Sequence, residues 1–133
     1  MRWALRPRPD SDGRYGRLQA INIETKRVAW VTRQRAPQTT GVLATAGGVI
    51  FAGALDRVFS AYDSATGAQL WKTRLNDVPN SSPITYMANG KQYIALTVGN
   101  GGAQATSFAP LVPEFEGRRF GCLNWRIDFG CGA

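Results

Sequence analysis

Reactive side chains are sparse in this sequence, and the missing kind sets the first limit. Histidine is absent. That removes Ser-His-Asp and Cys-His nucleophilic sites, imidazole acid/base chemistry and imidazole metal sites together. Cys122 and Cys131 are too few for a disulfide framework or a four-thiolate zinc site. Two free thiols or one small loop closure both fit their spacing. Asp10, Asp12, Asp56, Asp63 and Asp77 have an ordinary explanation in turns and at the surface, so none is assigned a catalytic role and no metal site is expected. Gly99-Asn100-Gly101-Gly102 resembles a phosphate cradle only superficially, because no helix follows it and the G-K-[ST] ending is missing. Gly90-Lys91 reads as a hairpin turn, not a phosphate-binding lysine.

The elements that would position any chemistry come from a chain of 133 residues, enough for one domain or part of one. Hydrophobic residues make up 44% and charged residues 19%, so the chain has material for a core. The first 17 residues, MRWALRPRPDSDGRYGR, lack the apolar stretch and cleavage site of a signal peptide, and no run approaches 18 apolar residues. Neither an export signal nor a membrane span is therefore expected. The net charge of +7 is uneven. Nine of the sixteen basic residues fall in the first 35 positions against Asp10, Asp12 and Glu24, a net of +6 there. This end has no zinc-finger spacing, helical basic stripe or base-stacking aromatic pair, so no nucleic-acid partner is expected.

An internal repeat organises the rest. Residues 18–33, LQAINIETKRVAWVTR, align without a gap on 59–74, FSAYDSATGAQLWKTR, at an offset of 41. Ala20 matches Ala61, Thr25 matches Thr66, Trp30 matches Trp71, and Asn22 stands opposite Asp63. The same offset carries VLATAGGVIFAG onto PITYMANGKQYIALTVG, with about two extra residues in the second turn. Trp125, in LNWRIDF, is a candidate third counterpart of Trp30 and Trp71. Alternating apolar and β-branched residues predict four strands per repeat: A at 42–46 and 83–87, B at 49–53 and 92–98, C at 17–22 and 57–62, D at 27–32 and 69–74. Gly47-Gly48 and Asn89-Gly90 suit two-residue hairpin turns, and DSATG suits the C–D turn, with Asp63 bonding backbone and Gly67 left-handed. No helix is expected, and residues 1–15 and 100–121 read as loops.

A period near 40 with four short strands is the mark of a propeller blade. The order is C–D, A–B–C–D, A–B: one full blade between two incomplete ones. A ring needs at least about four blades, so the chain is part of a longer protein, part of an oligomer, or an open stack. Its partners are then the remaining blades or another copy of itself. Trp30 and Trp71 are expected to lock neighbouring blades together. The strand QYIALTVG carries no charge from Gln92 to Gly99, which makes it a candidate for self-association, with Ile94 expected to face the missing neighbour.

These tryptophan repeats, A-x-[ND]-x-x-T-x-x-x-x-W, together with LATAGG and GKQY, resemble the last blades of the pyrroloquinoline-quinone (PQQ) alcohol and methanol dehydrogenases over about residues 13–112. The resemblance implies an all-β fold, a partial propeller of two to three four-stranded antiparallel blades from an eight-bladed ring. Residues 1–15 would precede the blades at 16–112, and 113–133 would form a divergent tail with at most one final strand. It further implies PQQ with calcium in the complete ring, an alcohol or sugar substrate and a periplasmic location. The family's calcium ligands and catalytic aspartate lie in earlier blades, so this chain alone is expected to bind no cofactor and to be inactive. The loop that reaches PQQ before the LATAGG strand corresponds to Gln38, Thr39 and Thr40, where many members carry tryptophan. Strand alternation puts the D–A and B–C loops on one face with Gln38, Thr39, Asn80 and Ser81. Similar blades in an outer-membrane assembly lipoprotein supply the alternative, a non-catalytic scaffold.

Overall fold

A computed structural model of the chain describes residues 8–99, Ser107 and, through its backbone, 126–129. Nine strands run β1 Gly16–Ile21, β2 Val28–Gln34, β3 Leu43–Ala44, β4 Val49–Gly53, β5 Val58–Asp63, β6 Gln69–Arg74, β7 Ile84–Ala88, β8 Lys91–Val98 and β9 Arg126–Phe129. They form three antiparallel sheets, ordered β1-β2, β3-β4-β5-β6 and β7-β8-β9. The middle sheet is the full blade, and its neighbours are incomplete among the described residues. Ser107 is helical where a loop is expected. The other residues at 100–121, with Cys122, Trp125 and Cys131, lie outside the described residues.

The repeat is physical as well as textual. Asn22 Oδ1 accepts from the N–H groups of Glu24 (3.0 Å) and Thr25 (2.8 Å), and Asp63 Oδ1 accepts from Ala65 (3.0 Å) and Thr66 (2.8 Å). Each turn then passes through a left-handed residue, Lys26 at φ 56° and Gly67 at φ 74°. Both hairpins slip register at the same place, between Ala20 and Ile21 and between Ala61 and Tyr62. The extra residue, Ala29 or Leu70, twists the strand just before the tryptophan, as a bulge does.

Two details of the hairpins and strands depart from expectation. Strand A of the full blade is only Leu43–Ala44, and its turn to β4 spans three residues: Thr45 and Val49 remain bonded (2.9 Å), and Gly48 closes the loop at φ 77°. The Asn89-Gly90 turn has two residues, both left-handed (φ 51° and 73°), which matches the strand twist. The second repeat therefore gains three residues between strands A and B, and the offset rises from 41 to 44.

Two apolar clusters join the sheets. Leu18, Ala52 and Tyr62, with Trp30 and Ile50, fill the first junction. Phe59, Leu96 and Val98, with Phe51, Leu75 and Ile94, fill the second. Ile94 thus packs inward against the full blade, not outward as the sequence suggested. The exposed face of the third sheet carries Ile84 and Tyr86, the latter stacked on Tyr93 at 5.5 Å. Trp30 seals the first junction: its indole N–H donates to Ser64 O (2.9 Å), and a Cβ on Gly67 would meet its ring at 2.5 Å. Strand β9 pairs with β8, the place β5 takes beside β4.

Candidate functional site

Each blade is entered by a short strap laid along the end of strand B. The first runs from Pro37 to Thr40: Leu55 N–H donates to Pro37 O (3.0 Å), Thr39 N–H to Gly53 O (3.0 Å), and Gln38 bridges Ala54. The second runs from Val78 to Ser81 in the same way, with Gly99 N–H on Val78 O (2.8 Å), Asn80 N–H on Thr97 O (3.3 Å), and Pro79 bridging Val98. Straps and B–C loops thus share one face, as strand alternation requires. The two straps also lie close together. A Cβ on Gly53 would meet Pro79 Cγ at 2.7 Å and Thr40 Cγ2 at 2.8 Å, and one on Gly41 would meet Ser82 Oγ at 2.4 Å.

The three expected site residues divide by what their polar atoms do. Thr40 is committed to the strap: its hydroxyl accepts from Gly53 N–H (2.8 Å) and donates to Gly41 O (2.8 Å). Ser81 repeats the first bond, accepting from Thr97 N–H at 2.8 Å. A hydroxyl at both positions of the repeat was the signal for this structural duty. Gln38 and Thr39 differ: Nε2 and Oε1 of Gln38 and Oγ1 of Thr39 are shut off from solvent with no hydrogen-bond partner. Buried polar groups normally have partners, because leaving one unpaired costs about 1–3 kcal/mol. A ligand with donor and acceptor oxygens would satisfy them, since the amide both donates and accepts and the hydroxyl does the same.

Four of the aspartates are occupied elsewhere. Asp10 pairs with Arg8 (2.8 Å) and Arg33 (2.9 Å), and the Arg33 guanidinium, then Arg8, lowers its pKa to about 2. Bonds from Thr66 hold the Asp63 carboxyl below its ordinary value. Asp56 accepts from Val58 N–H (3.1 Å), Asp77 from Val78 N–H (2.8 Å), and Asp12 sits in a left-handed turn at φ 48°. Among the described residues no three His, Cys, Asp or Glu side chains gather as metal ligands. Tyr62 is raised by burial, and its hydroxyl donates to Gln34 Oε1 (3.1 Å), tying the full blade to the first sheet.

One four-stranded sheet between two incomplete repeats of it, with Trp30 locking the first junction and straps on one face, defines a segment of a β-propeller. The model of the PQQ glucose/ethanol/alcohol dehydrogenase β-propeller domain matches residues 6–94, and the chain belongs to that family. Quinoprotein alcohol dehydrogenase PedE of Pseudomonas putida is 41% identical over 92 residues, which are 69% of this chain and 15% of that protein. The 1-butanol dehydrogenase (cytochrome c) of Thauera butanivorans is 35% identical over 98 residues, 74% of this chain and 14% of its own length. Among solved structures, quinohemoprotein alcohol dehydrogenase from Comamonas testosteroni superposes with TM-score 0.59 at 36% identity, over 62% of this chain and 12% of that one. A europium-containing methanol dehydrogenase superposes with TM-score 0.66 at 31% identity, over 78% and 19%. The chain thus spans about 15% of the length of the curated relatives it matches. No helix among the described residues is long and apolar enough to cross a membrane.

Proposed function

We propose that this chain supplies consecutive blades of a PQQ-dependent dehydrogenase ring that oxidises alcohols or sugars in the periplasm, and that Gln38 and Thr39 meet the cofactor. One observation carries the reading: on a strap whose Thr40 hydroxyl is bonded on both sides, Gln38 and Thr39 hold buried polar atoms without partners. Bound PQQ would supply the electron-accepting quinone. The chain's own part is orientation. Thr40 pins the strap to β4, the Gln38 amide presents a donor and an acceptor together, and the Thr39 hydroxyl adds a third group. Metal ligands and a general base would come from other blades, because among the described residues no three carboxylates gather and those of Asp10, Asp56, Asp63 and Asp77 are engaged in turns and ion pairs. The named relatives are alcohol dehydrogenases, two of them quinoproteins by name, which favours the enzyme over the scaffold reading.

The test places residues 13–99 in the corresponding segment of the Pseudomonas putida relative and titrates the purified ring with PQQ. Gln38→Leu is expected to weaken PQQ binding about tenfold, the worth of one or two hydrogen bonds. Equal affinity in the parent graft and the variant would overturn the cofactor role.

A further inference from the structure

The entry to the first strap is held by a polar relay that runs between the first sheet and the full blade. Gln34, the last residue of β2, donates from Nε2 to Ala36 O (3.2 Å) and accepts at Oε1 from the Tyr62 hydroxyl (3.1 Å). A carbonyl only accepts, so the amide has one workable orientation and the phenol is the donor. Ser60, 2% exposed, accepts from Gln69 Nε2 (2.9 Å), and both side chains also bond the Tyr62 phenol. Ala36 is buried, and Gly16 lies against it: a Cβ there would run into Ala36 O and Gln34 Cγ. The relay thus ends one residue before Pro37, where the strap begins, and the Thr40 hydroxyl on Gly53 N–H closes the other end.

The second strap is built without such a relay. At the offset of 41, Gln34 corresponds to Leu75, which packs in the second apolar cluster, and Gln38 corresponds to Pro79, which has no polar side chain. Both straps nevertheless make the same backbone bonds along strand B. Laying a strap down therefore does not require the relay. It accompanies the strap whose Gln38 and Thr39 carry unpartnered polar atoms. Those atoms serve a ligand only from a fixed place, because a hydrogen bond weakens steeply as distance and angle drift.

We propose that Tyr62 and Gln34 are positioning residues, which fix the entry of the first strap and so the place of Gln38. Their effect on PQQ rests on the cofactor role proposed for Gln38, whereas their hold on the strap does not.

Hydrogen exchange of the full chain reads the strap without any cofactor, through Leu55 N–H on Pro37 O and Thr39 N–H on Gly53 O. Tyr62→Phe removes only the hydroxyl. It is expected to speed exchange of both amides about fivefold, the worth of one hydrogen bond, with no change at Asn80 and Gly99 on the second strap. Gln34→Met should act in the same way, and adding Tyr62→Phe to it should have no further effect. In the grafted ring, Tyr62→Phe should weaken PQQ binding several-fold when Gln38 is present and leave it unchanged in Gln38→Leu. Unaltered exchange at the first strap would overturn the proposal, and so would acceleration spread equally over both straps, which marks a general loss of stability. PQQ affinity lost equally in both backgrounds would overturn the link to Gln38. Gln38→Leu with unchanged affinity would strike the cofactor role instead, and the exchange result would still decide the hold on the strap.

Discussion

Gly67 meets two demands that no other residue type satisfies together. Its φ of 74° suits a side chain poorly, and the Trp30 ring occupies the space a Cβ would need. Gly67→Ala is therefore expected to destabilise the chain by about 2–4 kcal/mol, from left-handed strain plus overpacking, measured by urea unfolding. Asp10 has a different, pH-dependent role. Its carboxyl is depressed to about 2 by Arg33 and Arg8. A depressed folded pKa means that its stabilisation is present above the ordinary value of 3.8 and is lost as pH falls through about 2. The melting temperature should drop over that window more in the wild type than in Asp10→Asn. Equal slopes would show that the ion pairs on this exposed residue contribute nothing measurable.

At the scale of elements, the straps separate folding from function. Thr40→Val removes the acceptor for Gly53 N–H and should cost about 1–2 kcal/mol in urea unfolding. Gln38→Leu removes buried atoms that lack partners, so it should be neutral or stabilising in the same measurement. Both losing stability equally would mean that Gln38 serves the fold. These elements were unequally legible in the sequence. The strands of the full blade follow from period-2 alternation and a 41-residue repeat, and the C–D turns follow from the Asx residues that build them. Gly47-Gly48 permits both a two-residue and a three-residue turn, so its conformation was not readable. The direction of Ile94 was hidden because Tyr93, Ile94, Ala95 and Leu96 are all apolar or aromatic, and alternation names no inner face. Only the three extra residues between strands A and B place Ile94 opposite the full blade. Among the candidate residues, Thr40 was readable as structural from Ser81, whereas the unpartnered state of Gln38 and Thr39 needed three dimensions.

For the whole molecule, three sheets joined by one tryptophan seat and two apolar clusters make a segment of a ring, with both straps on one side. The chain alone, given PQQ, calcium, primary alcohols and an artificial electron acceptor, is expected to show no turnover above a heat-treated control. The central claim is that this segment presents Gln38 and Thr39 to the cofactor of a quinoprotein ring. A crystal structure of the grafted ring with PQQ bound tests it most directly. The predicted result is a polar atom of Gln38 or Thr39 within about 3.2 Å of a PQQ oxygen or nitrogen. Both side chains bonded only to protein or water, with PQQ held by other blades, would contradict it.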